Sequence, residues 1–134
     1  MDFNILAEEA KKAMKRAYAP YSGYYVGAAL LTKDGKIYTG CNIENSAYSP
    51  TNCAERTAFF KAVSEGELDF SAIAVVGGYK GVIDSVFPPC GVCRQVMMEF
   101  CRPDEFKIVL VHKDGYEVRT LAELLPLGFD NAHI

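Results

Sequence analysis

The sequence predicts an α/β fold, a three-layer α/β/α sandwich built on a mixed five-stranded sheet. Three observations carry this. Apolar periodicity alternates between helical and strand spacing along the whole chain, Lys33-Asp34-Gly35 marks a hairpin, and residues 71–77 form a nearly unbroken apolar run. A hairpin demands an antiparallel pair, whereas a continuous apolar run suits a central strand covered on both faces. Helices packed on both sides of one sheet satisfy both requirements. With 134 residues, half of them apolar, the chain is one domain in length (1–134) and can bury a core without disulfides.

The elements follow in order. Asp2 is placed to cap a first helix with Phe3, Leu6, Ala10, Met14 and Ala17 on one face, and Pro20 stops it. Residues 25–31 and 36–42 flank the hairpin turn and should pair antiparallel. Turn residues fill 44–52. Residues 53–65 then show helical spacing at Ala54, Ala58, Phe59, Ala62 and Val63, ending at Gly66. After the 71–77 strand, a loop closing on Phe87-Pro88-Pro89 introduces a third helix over 90–101, with Pro89 suited to its first turn and Pro103 beyond its end. Residues 107–112 and 116–120 are strands split by Asp114-Gly115, and a short helix at 121–125 and an irregular tail complete the chain.

Charge narrows the function classes. The net charge is -3 and the lysines and arginines are scattered, which argues against nucleic acid or an anionic membrane as partner. No apolar run approaches the roughly 18–20 residues of a membrane span, and the N-terminal stretch lacks a signal-peptide core, so a cytoplasmic protein is expected. Five cysteines cannot complete a disulfide framework, and in a reducing compartment spaced cysteines are more often metal ligands or catalytic groups.

Their spacing points to a metal. Cys53-Ala54-Glu55 stands at the start of the second helix and Pro89-Cys90-Gly91-Val92-Cys93 at the start of the third. Free N–H groups and the positive dipole end there favour thiolate, the form that binds metal. Cys90 and Cys93, three apart, share a helix face, and Cys53 can supply a third sulfur. Three ligands leave a fourth position open, as in catalytic zinc sites, whereas structural sites are usually closed by four. Cys41 and Cys101 could supply a fourth ligand, although each reads more easily as a core residue; a redox pair or buried thiols are the other readings of the three cysteines.

Zinc with three thiolates and one hydroxide carries about -2, so compensation is needed. The two helix N-termini provide part of it, and Arg56 is placed to hydrogen-bond a ligating sulfur, or else is a surface helix charge. Glu55 falls three residues after Asn52, where a capping-box glutamate would stand. Beside a metal, the same carboxylate can take a proton from water, pass it to a ring nitrogen and later protonate a departing amine. A glutamate two residues after the first ligand, followed by Pro-Cys-x-x-Cys, is the signature of zinc deaminases.

At these residues the chain resembles the small homotetrameric cytidine deaminases over nearly its whole length. The resemblance extends to Tyr18-Ala19-Pro20-Tyr21-Ser22, Val26-Gly27-Ala28-Ala29, 40–45, Cys53-Ala54-Glu55-Arg56, 89–95 and Leu124-Leu125-Pro126. It implies one zinc per chain and hydrolysis of cytidine and 2′-deoxycytidine to the uridines with release of ammonia, in pyrimidine salvage. It implies Asn42 and Glu44 as sugar ligands, which from the residues alone read as a turn asparagine and a solvated acid. It further implies that the Ala54 backbone contacts the pyrimidine carbonyl and that Tyr24 packs against substrate where the family usually has Phe. Tyr48 and Phe129 resemble residues that complete a neighbouring subunit's site, Phe129 by stacking on the base; otherwise they are ordinary aromatics. Pro88 stands where the family often has Ser.

Three other readings compete. A related deaminase acting on a blasticidin-type cytosine nucleoside would share the metal motif, though Asn42 and Glu44 favour an ordinary ribose. A structural zinc or redox module would use the cysteines without turnover, leaving Glu55 unexplained. A polynucleotide deaminase must also hold flanking phosphates, for which this acidic chain lacks a basic channel.

Overall fold

In the computed structural model, which describes residues 2–134, a five-stranded sheet runs in the order β2-β1-β3-β4-β5. Its strands are β1 (Tyr24–Thr32), β2 (Ile37–Cys41), β3 (Phe70–Tyr79), β4 (Lys107–His112) and β5 (Gly115–Thr120). β3 is central and buried along nearly its whole length, as its apolar run requires. The sheet is mixed: β3 pairs with β4 in parallel, whereas β1–β2, β1–β3 and β4–β5 are antiparallel. The hairpin turn closes at Gly35, whose φ of 91° lies in the left-handed region that glycine enters without strain.

Four α-helices cover the sheet: α1 (Asn4–Met14), α2 (Ala54–Ser64), α3 (Gly91–Phe100) and α4 (Leu121–Leu124). One core layer joins α1, through Phe3, Leu6 and Ala10, to Ala29, Val76 and Val109. The other packs α2, α3 and α4 onto the opposite face through Phe59, Met97, Leu121, Leu30 and Ile108. This is the predicted three-layer sandwich. Two glycines let the helices approach the sheet closely: a Cβ on Gly27 would lie 2.1 Å from the Ala10 carbonyl oxygen, and one on Gly40 would lie 2.4 Å from that of Ala54.

Three expectations are corrected. The first helix ends at Met14, well before Pro20, and Ala17 falls outside it. The chain leaves the helix so that Tyr18 can pair with the loop after β2, donating to the Asn42 carbonyl and accepting from the Glu44 N–H at 2.8 Å. Asp2 does hold the helix start, accepting from Asn4 N–H at 2.8 Å. The third helix begins at Gly91 with Cys90 as its cap, so Pro89 precedes the first turn. The tail is not wholly irregular, since Asn131–His133 form a 3-10 turn capped by Asp130.

Candidate metal centre and active site

Cys53 and Cys90 occupy the N-cap positions of α2 and α3 in extended conformation, and Cys93 lies in the first turn of α3. The two helix starts therefore converge on one point. The three Sγ atoms all lie within 4.8 Å of one another, with Cys53 and Cys90 sulfurs 3.7 Å apart. Sulfurs bound to one tetrahedral zinc at about 2.3 Å lie roughly 3.8 Å apart, so the cluster fits the ion. Cys90 Sγ also accepts from the Cys93 N–H at 3.4 Å, capping its own helix. Cys41 and Cys101 lie outside the cluster: Cys41 is in β2, and Cys101 packs against the core, where burial pushes its thiol pKa up.

Arg56 supplies the compensating charge, its Nη2 donating to Cys53 Sγ at 3.2 Å. Burial disfavours its charge, but the Cys53 and Cys93 sulfurs outweigh that and hold the guanidinium firmly protonated. Hydrogen bonds from the Cys93 thiol, with Arg56 adding to them against a burial cost, bring Cys53 down to about 5. Cys93 moves the other way, because its proton bonds Cys53 and the side chain is buried. Binding of a dication would release the protons these thiols carry.

Glu55 does not form the capping box that its spacing allowed. Cys53, not Asn52, is the N-cap, and Asn52 Nδ2 donates to Thr57 Oγ1 at 3.2 Å. The Glu55 side chain is instead buried, 4% exposed, and among the described residues no side chain donates to its carboxylate. Burial chiefly, together with the nearby Cys53 charge, raises its pKa to about 7. Such a carboxyl, two residues from a metal ligand and bonded by no other side chain, can exchange protons with a bound molecule. Ala54, wholly buried between Cys53 and Glu55, opens α2, where N–H groups lack partners within the helix.

The 42–52 loop closes on itself through a pair of backbone bonds of 2.9 Å that Ile43 and Asn52 exchange, one residue before Cys53. Asn42 and Glu44 flank Ile43. The buried Asn42 amide ties β2 to β1, accepting from Val26 N–H at 2.9 Å and donating to the Tyr24 carbonyl at 2.8 Å. Glu44 accepts from the N–H groups of Tyr21 at 2.9 Å and Ser22 at 3.1 Å and from the Ser22 hydroxyl. Desolvation works to raise its pKa, yet these donors prevail and hold it below the ordinary value. Tyr21, Ser22, Glu44, Tyr48 and Thr51 line a cavity of about 380 Å³.

The aromatic positions divide. Tyr24 packs 6.1 Å from Phe87, which belongs to the loop leading to Cys90. Tyr48 and Phe129 are exposed, their rings meeting Tyr21 and His133 instead of the cysteine cluster. Sequence reasoning assigned no role to Ser22, Phe87, Arg94 or Gln95. Ser22, Arg94 and Gln95 bond partners 22, 30 and 34 residues away in sequence, and no local spacing signals that.

A family model described as the cytidine and deoxycytidylate deaminase zinc-binding region matches residues 4–110. The chain belongs to this deaminase family. It is 55% identical to a cytidine deaminase of Sporosarcina psychrophila, over 96% of this chain and 92% of the relative. A cytidine deaminase crystal structure from Burkholderia pseudomallei superposes with a TM-score of 0.88 at 46% identity, covering 96% of this chain and all of that one. A blasticidin-S deaminase of Bacillus cereus is 40% identical over 79% of this chain and 77% of its own length. Family membership makes the centre a zinc site and the protein a hydrolase.

Proposed function

We propose that this chain is a single deaminase domain, 1–134, that hydrolyses cytidine and 2′-deoxycytidine to the uridines with release of ammonia, serving pyrimidine salvage in the cytoplasm. The observation that carries the reading is the convergence of three cysteine sulfurs beside a buried Glu55 whose carboxylate no other side chain bonds. Cys53, Cys90 and Cys93 would hold one zinc per chain. When bound, zinc supplies the Lewis acidity that makes water a nucleophile at neutral pH.

The chain's own groups do the rest. Glu55 accepts one proton of the attacking water and gives it to the ring nitrogen next to the carbon under attack. It then takes the remaining proton of the added hydroxyl and delivers it to the amine as the C–N bond breaks and the carbonyl forms. The Ala54 N–H at the start of α2 receives the pyrimidine carbonyl, Asn42 and Glu44 hold the sugar hydroxyls, and Tyr24 covers the nucleoside's edge. Arg56 offsets the negative charge of the sulfurs. Tyr48 and Phe129, exposed on the single chain, reach the sites of neighbouring subunits in a homotetramer, with Phe129 stacking on the base. Their exposure and the strong identity to cytidine deaminases support that assembly.

The test is loss of ultraviolet absorbance on mixing the protein with cytidine, beside a zinc assay on the same sample. Turnover with about one zinc per chain is the expected result. Zinc without turnover on cytidine or deoxycytidine, but with turnover on blasticidin S, would transfer the substrate assignment to the modified nucleoside.

A further inference from the structure

Directly after Cys93, α3 carries two polar side chains that reach the C-terminal segment. The half-buried Arg94 donates through Nε to the Pro89 carbonyl at 2.8 Å and through Nη1 to the Leu124 carbonyl. Gln95 Nε2 donates to the Phe129 carbonyl at 2.9 Å. These bonds grip the segment at both ends, at the close of α4 and at the aromatic residue itself.

Between the two grips the backbone packs at Gly128, where a Cβ would lie 3.0 Å from Met98, but beyond Leu125 its N–H groups bond no other described residue. Leu127 takes a left-handed φ of 54° with its side chain fully exposed. Among the described residues, no N–H of Leu127, Gly128 or Phe129 finds an acceptor. The Phe129 ring is 57% exposed and its aromatic partner is His133, which belongs to the same tail. A segment without ladder bonds would leave that ring free to wander, and an aromatic donated to another subunit binds well only if its orientation is set beforehand. The guanidinium's rigid plane also fixes the Leu124 carbonyl relative to the Pro89 carbonyl, which immediately precedes Cys90.

We propose that Arg94 and Gln95 are positioning residues for Phe129, and that Arg94 joins the Cys90 loop to the same segment. This rests on the reading of Phe129 as the residue that stacks on the base in a neighbour's site. One chain's metal loop and the ring it lends to its neighbour are then held as one unit.

The experiment compares Gln95→Ala, the isosteric Gln95→Glu, which lacks the donor, Arg94→Lys, which cannot span both carbonyls, and Phe129→Ala, all as zinc-loaded full chains. The Gln95 and Arg94 variants should raise the cytidine KM about three- to tenfold, the scale of an aromatic stacking contact. Their kcat should stay within about twofold and zinc at about one per chain, a split that general destabilisation does not produce. Gln95→Ala added to Phe129→Ala should raise KM no further, since the two act through one ring. Amide hydrogen exchange at Leu125, Asp130 and 132–134, whose N–H groups are bonded, should quicken in all three α3 variants. Unchanged exchange there, or an unchanged KM in the Gln95 variants while Phe129→Ala raises it, overturns the proposal. An unchanged KM in Phe129→Ala overturns instead the stacking reading beneath it.

Discussion

Glu55 is buried two residues after Cys53, whereas Glu44 takes its backbone donors from Tyr21 and Ser22, 23 and 22 residues earlier in the chain. Two residue-scale predictions separate the groups. Glu55→Gln should keep about one zinc per chain while turnover falls by roughly 10²–10⁴ or more, the range of a lost proton shuttle. A zinc assay and the absorbance assay on one preparation decide it, and turnover near the unsubstituted level would remove Glu55 from the mechanism. The second concerns Glu44, whose ionised form the Tyr21 and Ser22 donors stabilise against desolvation. Because its pKa lies below the ordinary value, Glu44 keeps its charge as pH falls through the usual carboxylate range. Ser22→Ala removes one donor and lets the pKa rise, so the acid limb of the kcat/KM profile should move to higher pH. Superimposable profiles would show that Glu44 does not govern sugar binding.

At the scale of elements, sequence period located the five strands and four α-helices of the described residues, erring at ends that tertiary contacts decide and missing the 3-10 turn of the tail. Pro20 was available to stop α1, but pairing of Tyr18 with the 42–44 strand-like stretch stopped it sooner. Glycine spacing gave no hint that Gly27 and Gly40 serve close helix approach. Gly27→Ala would drive a Cβ to 2.1 Å from the Ala10 carbonyl oxygen and 2.4 Å from the Met14 nitrogen. Backbone cannot yield as a side-chain tip can, so the cost should reach or exceed the upper part of the roughly 1–3 kcal/mol seen for overpacking. A denaturant midpoint unchanged by the substitution would mean that α1 shifts freely on the sheet. Metal is an element-scale tie as well, because its ligands come from the starts of α2 and α3. Chelation should abolish turnover and lower the thermal midpoint, and zinc should restore both. A midpoint indifferent to chelation would show that the two helices hold their places without the ion.

At the scale of the whole molecule sequence period had least to offer, because the exposed Tyr48 and Phe129 meet Tyr21 and His133 instead of their own chain's cysteine cluster, and only a resemblance assigned them a role. If sites are shared, mixing Glu55→Gln with Phe129→Ala chains, dissociated and reassembled together, should create sites with an intact Glu55 from one chain and an intact ring from the other. A low-KM activity absent from either parent is the expected outcome, and a mixture that behaves as the sum of its parents would place Phe129 outside any shared site. The parallel β3–β4 pair has a further consequence, for the order of assembly. Hairpin β1–β2 and the α2 that follows need only nearby contacts, whereas β4 joins β3 only after the chain has passed through α3 and returned. Cys53 thus has its helix early, while Cys90 and Cys93 meet it only when the crossover closes. On this order of assembly zinc should be acquired late, and a chain truncated before β4, although it carries every ligand, should bind zinc more weakly than the full chain.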